Sequence, residues 1–121
     1  MLDHISIPVS NLQKSKEMYK EAFRTIGFKL VGGEEGNFWS FDVGNKVLFQ
    51  IRQAPPGTSI SPCHVAFRLE FIHMVASFSS DAQHAGFVCN GALGFRPQYS
   101  PTYFACYVLD PDGHNIECML Q

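Results

Sequence analysis

The sequence predicts an α+β fold: two βαβββ modules that form a curved mixed sheet around a cavity, with the helices on the outside. Three observations carry this expectation. First, the chain repeats itself. Asp3-His4-Ile5-Ser6-Ile7-Pro8-Val9 is echoed by Cys63-His64-Val65-Ala66-Phe67-Arg68-Leu69, the run 37–43 by 102–108, and the run 47–51 by 114–118, at offsets of 60, 65 and 67 residues. A slowly drifting offset is the mark of a duplicated unit that gained a few residues in its second copy. Second, each copy holds short runs alternating apolar and polar residues, the period of a half-buried strand. Third, each copy holds one stretch with apolar residues at helical spacing.

Taken in order, Ile5, Ile7 and Val9 alternate with His4, Ser6 and Pro8 in a first strand. Ser10 with Gln13 has the pattern of a capping box. Leu12, Tyr19, Ala22, Phe23 and Ile26 fall on one helical face, and Gly27 stops that helix. A short strand over 28–31 is followed by a turn at Gly32-Gly33. Strands over 38–43 and 46–53 are joined at Gly44-Asn45. Residues 54–62, rich in Pro, Ser and Gly, read as a linker. The single domain 1–121 thus divides into module 1 (1–53), the linker (54–62) and module 2 (63–121). In module 2 a strand from residue 63 leads to a helix over 71–85 that has no good N-cap. One short, irregular strand is expected within 87–100, then strands over 103–109 and 115–120. Asp110-Pro111-Asp112-Gly113 between the last two has the chemistry of a type I turn.

Composition narrows the function. The chain has 121 residues, 45% hydrophobic and 17% charged, with 11 Phe and a net charge of −2. That is enough chain for one real core. A slightly acidic chain without a basic run is a poor nucleic-acid binder. No apolar run approaches the ~20 residues of a membrane helix. No signal peptide is visible, and the four cysteines lack C-x-x-C spacing, so they read as reduced thiols in a cytoplasm. Cys63, beside His64, reads as a packed structural thiol.

Strand alternation puts His4, Ser6 and Pro8 on one face, with Leu48, Gln50 and Arg52 on their own strand's matching face. In module 2 the corresponding sets are His64, Ala66 and Arg68; Tyr103, Ala105 and Tyr107; and Asn115, Glu117 and Met119. These are the helix-free faces. The repeat-matched positions His4, Gln50, His64 and Glu117 are candidate metal ligands, one pair from each copy. A strand histidine taken alone is more often a hydrogen-bonded core residue, and Gln50 has an equal reading as a hydrogen-bond partner of a ligand or water. His73, His84 and His114 fall on a helix face or a turn and read as solvated.

Leu2-Asp3-His4-Ile5 before a helix, His64-Val65-Ala66-Phe67 after the linker, and the run Leu109 to Glu117 (LDPDGHNIE) together resemble the vicinal oxygen chelate superfamily. That group includes glyoxalase I, bleomycin-resistance proteins, extradiol dioxygenases and methylmalonyl-CoA epimerase. The resemblance spans nearly the whole chain and is nearest the small single-chain glyoxalase-like members. It implies one divalent metal ion (Zn, Ni, Mn or Fe(II)) held by His4, Gln50, His64 and Glu117, with open positions for two neighbouring substrate oxygens. It implies catalytic roles for Glu117 and Tyr107, and substrate contacts from Ser6, Arg96 and Tyr103. Arg96 has a competing reading as a loop residue paired with a surface acid. Gln50 stands where glyoxalase I commonly has Glu. Since Gln cannot take a proton, Glu117 would be the single base. The resemblance implies a metal-dependent lyase or isomerase acting on a small vicinally oxygenated metabolite. The alternatives are a metal-free, bleomycin-resistance-like ligand-binding protein and an extradiol-type dioxygenase. It also implies a homodimer in which modules exchange between chains; the prolines of the linker disfavour a tight fold-back within one chain.

Overall fold

The computed structural model describes residues 1–121. It shows two βαβββ modules. In the first, β1 (His4–Val9), α1 (Leu12–Phe23), β2 (Lys29–Glu34), β3 (Phe38–Asp42) and β4 (Leu48–Gln53) make a sheet of order β1-β4-β3-β2. In the second, β5 (His64–Arg68), α2 (Ile72–His84), β6 (Val88–Phe95), β7 (Phe104–Leu109) and β8 (Asn115–Leu120) make a sheet of order β5-β8-β7-β6. The outer pairs β1–β4 and β5–β8 are parallel and the rest antiparallel, so the copies match strand for strand. The two four-stranded sheets do not close into a barrel.

Most elements lie where the periodicity puts them, with local differences. The α1 N-cap is Asn11, not Ser10: its Oδ1 accepts from Lys14 N at 3.1 Å. The Ser10 amide instead donates to Asp112 Oδ2 across the modules at 3.0 Å. Gly32 and Gly33 lie inside β2, beside a register shift between Leu30 and Gly32. Gly33 is needed there because a Cβ would sit 2.4 Å from the Phe38 carbonyl oxygen. α2 starts after Phe71 with no side-chain cap. β6 is longer than expected, eight residues, but its pairing with β7 is broken twice.

One aromatic core joins the modules. Phe23 of α1 touches Phe28, Phe41 and Phe49 of its own module and Phe67 and Phe78 of the other, at centroid distances of 5.2 to 6.2 Å. Tyr19 meets Phe87 edge-on at 5.0 Å. α1 packs on α2, so the helix-bearing sides of the two modules share one core. The helix-free faces, with the candidate ligands, are left outside that seam.

A buried polar network stitches the same seam. Tyr19 donates its phenolic proton to Asp110 Oδ2 at 2.8 Å. Asp110 Oδ1 accepts from the amides of Asp112 and His114, both at 2.9 Å. His114 is fully buried, which corrects the solvated reading. The Asp110 carboxylate draws the turn inward and turns the imidazole under β1. There Nε2–H donates to the Pro8 carbonyl at 2.7 Å, and Nδ1 accepts from the Cys63 amide at 3.1 Å. A carbonyl only accepts and an amide N–H only donates, so these partners fix the tautomer. Cys63, 3.3 Å from Nδ1, is a packed thiol whose pKa is raised by burial and by Asp110.

Several buried groups hold protons that the unfolded chain gives up in alkali. Tyr19 is pushed well above its ordinary 10.0 by burial and then Asp110. Burial raises Cys106 to about 11 and also lifts Cys118. Their contribution is complete below the unfolded pKa values and is lost as pH rises through the native ones. Unfolding free energy is therefore expected to fall from about pH 9 upward, with each released proton steepening the slope by about 1.4 kcal/mol per pH unit. Urea titrations at pH 8 to 11 would show this fall, and Tyr19→Phe should flatten it. A stability independent of pH over that range would contradict the burial of these groups.

Candidate active site

The helix-free face of the second sheet carries a chemically loaded cleft. β5 and β8 run parallel and place His64 and Glu117 on the same face, two residues apart in register. His64 Nε2 donates to Glu117 Oε1 at 2.8 Å. Tyr103, just before β7, donates its phenolic proton to Glu117 Oε2 at 2.5 Å. Glu117 is 2% exposed, and a buried carboxylate requires such partners. Tyr107, directly opposite Glu117 in the β7–β8 register, stands beside them. The cleft, about 460 Å³, is lined by these four residues with Tyr99 and Asn115.

The electrostatics follow from burial and from Glu117. Tyr103 is raised well above the ordinary phenol range, first by desolvation and then by its bond to Glu117. Tyr107 is raised to about 12 by desolvation and by Glu117. Both are therefore neutral hydrogen-bond donors at physiological pH. Tyr99 packs edge-on against Tyr103 at 5.0 Å.

The first sheet holds the other pair. His4 begins β1, exposed, with Nδ1 2.7 Å from Asp3 Oδ1. Ser6, also exposed, lies opposite Gln50 in register. Gln50 Nε2 donates to Ser40 Oγ at 3.0 Å. The structure thus brings His64, Glu117, Tyr103 and Tyr107 together, and leaves His4, Ser6 and Gln50 on the other sheet. No cluster of three His, Cys, Asp or Glu side chains able to hold a metal forms within the chain. Arg96 stands behind Tyr107, its guanidinium carbon 5.2 Å from the ring centroid, and donates to backbone carbonyls rather than to a surface acid.

Three contributors had weaker signals in the sequence. Asn115 shares the parity of Glu117. Ser40 sits on the strand beside Gln50. Tyr99 lies in a loop, where no periodicity points its ring.

The Glyoxalase/Bleomycin resistance protein/Dioxygenase superfamily profile matches residues 1–118. Among solved structures, a glyoxalase/bleomycin resistance protein from Albidiferax ferrireducens superposes with a TM-score of 0.87 at 20% identity, covering 100% of this chain and 99% of that one. Lactoylglutathione lyase from Agrobacterium tumefaciens gives 0.73 at 13% identity, with coverages of 99% and 92%. The oxidase ChaP-H2 gives 0.74 at 17% identity, with coverages of 100% and 93%. At these identities the likeness speaks for the fold alone. No curated protein sequence matches the chain. No helix is long and apolar enough to cross a membrane, and all four cysteines are free thiols. With its profile matched over nearly every residue and its two βαβββ modules, the chain belongs to the Glyoxalase/Bleomycin resistance protein/Dioxygenase superfamily.

Proposed function

We propose that the chain is a metal-dependent enzyme of the lyase or isomerase type, acting on a small vicinally oxygenated metabolite. Its metal site is completed across a homodimer, with His64 and Glu117 from one protomer and His4 and Gln50 from its partner. The observation that carries this reading is the His64–Glu117 pair, a buried carboxylate 2.8 Å from an imidazole nitrogen in an open cleft. Two donors on adjacent positions of one ion, each about 2.1 Å from it, stand about 3 Å apart. The pair therefore fits half of a four-ligand set, with its shared proton displaced on binding.

A second copy of the chain is argued from exposed edges. β1 is bonded only to β4, and β5 only to β8. Both open edges border a groove of about 380 Å³ lined by Leu2, Ile5, Val65 and Ala66 among others. Leu2 is 58% exposed. Unpaired edges beside apolar surface are a liability that proteins cover. Edge-to-edge association would bring each ligand pair to the face of its counterpart.

A divalent ion held there (Zn, Ni, Mn or Fe(II)) would stabilise an enolate-like anion on two neighbouring oxygens. The remaining roles belong to the chain's own residues. Glu117 is the single carboxylate base, because Gln50 cannot move a proton. Tyr103 holds Glu117 Oε2 in place, and Tyr107 presents a neutral phenol to the substrate. Ser6, on the partner's face, offers a hydroxyl. A soluble, cytoplasmic enzyme fits this chemistry.

Isothermal titration with zinc, nickel, manganese and iron(II) tests the reading. Wild type is expected to bind one ion per chain, and His64→Ala to lose at least about tenfold in affinity. Indistinguishable isotherms would remove the site from this cleft. A second reading has one observation behind it. Both Glu117 oxygens are already satisfied by protein donors, which suits a metal-free, bleomycin-resistance-like binding protein. The absence of binding for every ion would favour it.

A further inference from the structure

We infer that Arg96 is the positioning residue for the tyrosine wall of the cleft, with Gly91 as the seat of the Tyr107 ring; this rests on reading the His64–Glu117 cleft as the functional site. Arg96 does not line that cleft. Its guanidinium donates to the carbonyls of Ala92 at 2.6 Å, Gly94 at 2.9 Å and Phe95 at 3.4 Å. A planar fork can hold several acceptors at once, which an ammonium on a flexible stem does poorly. The three carbonyls belong to the end of β6: Ala92 lies in the second break of its pairing with β7, between Gly91 and Gly94, and Gly94 and Phe95 lie where the pairing resumes. Arg96 thus ties off the irregular stretch from within. The same guanidinium faces the Tyr107 ring.

The backbone of Arg96 reaches the other two tyrosines. Its amide donates to the Tyr103 carbonyl at 2.7 Å, and its carbonyl accepts from the Tyr99 amide at 3.0 Å. One residue therefore touches all three cleft tyrosines, through its side chain or its main chain. Gly91 completes the arrangement from the neighbouring strand. It lies opposite Tyr107 in register, and a Cβ there would come within 2.7 Å of Tyr107 Cδ2. The ring occupies the space that a side chain would take. Tyr103 and Tyr107 in turn face Glu117, so the order of the wall sets how the carboxylate is presented.

The chain has four tyrosines, Tyr19, Tyr99, Tyr103 and Tyr107, so protein labelled with 13C at the tyrosine ζ carbon gives four resonances. In Arg96→Met and Arg96→Lys the three cleft resonances are expected to shift together while that of Tyr19, buried in the core, stays in place. Gly91→Ala should move the Tyr107 resonance most. It leaves Arg96 intact, so it provides an independent reading if the Arg96 variants fold poorly. A merely stabilising Arg96 would lower the melting temperature and leave the resonances of the folded state unchanged. Unchanged cleft resonances in the Arg96 variants, or in Gly91→Ala where those variants do not fold, would overturn the inference. Zinc titration of the same proteins separates the two claims. If the wall is ordered by Arg96 but wild type binds no ion, the proposed metal chemistry fails and the positioning role stands. If wild type binds zinc, the Arg96 variants should bind about tenfold more weakly, as expected when a support of a ligating carboxylate is lost.

Discussion

Co-refolding a His4→Ala variant with a Glu117→Ala variant is expected to restore metal binding that neither shows alone. Each variant by itself carries one defect in every site of its homodimer. In the mixed dimer, one site combines the intact first module of one chain with the intact second module of the other, and the second site takes both defects. With random association, half the dimers are mixed, so about one site in four is complete. Isothermal titration of the co-refolded sample should therefore give roughly a quarter of the wild-type stoichiometry at wild-type affinity. Mixing without refolding should restore it only as fast as the dimers exchange. If every site were built within one chain, each chain would keep its own defect and no mixing protocol would recover anything. The proposed interchain site predicts the first outcome: within the chain His64 and Glu117 meet on one sheet, His4 and Gln50 lie on the other, and no three-ligand cluster forms.

The largest loss of stability is expected away from this cleft, at Asp110→Ala. Asp110 is 5% exposed and its carboxylate accepts from Tyr19, from the Asp112 amide and from the His114 amide. Removing it leaves three donors without their acceptor. Each buried orphan costs about 1–3 kcal/mol, so a total near 4 kcal/mol is expected, a large part of the 5–15 kcal/mol that holds a typical domain. Tyr19→Phe removes one of these bonds and should cost about 1 kcal/mol. Urea unfolding would report both as shifts of the midpoint at unchanged slope. A smaller shift for Asp110→Ala than for Tyr19→Phe would mean that the turn finds other acceptors, and that the seam is held by its aromatic contacts alone.

The order and type of the elements were legible in the sequence because the repeat and the alternation agree at the pairs β1/β5, β3/β7 and β4/β8; β2 and β6, outside the repeat matches and interrupted by glycines, were the ones whose bounds differed most. The facing of His64 and Glu117 follows from parity, since β5 alternates throughout and the β8 sequence alternates from Asn115 to Cys118. Long-range contacts had no such signal. His114 follows Gly113 in a turn, a setting that ordinarily means solvent. Its burial depends on the Pro8 carbonyl and the Cys63 amide, 106 and 51 residues away. Arg96 was legible as a cation near the site but not as a clamp, because its acceptors are main-chain oxygens that no residue type announces. The cap at Asn11 went the same way: Ser10 has the better local pattern, but Asp112 takes its amide.

The turn before β8 has a consequence for how a duplicated chain sorts its halves. Two like modules could dock first on first or second on second. The turn offers acceptors and a buried imidazole that need a phenol and a carbonyl in set places, and the first module supplies them at Tyr19 and Pro8. At the repeat offset of 60, the second module has Ser79 and Arg68 there. A serine is too short to reach where the phenol does, so the second module cannot meet Asp110 in the same way. Divergence at these few positions makes the halves a lock and a key. Unlike docking within the chain then keeps the helix-free faces of both halves outside the shared core.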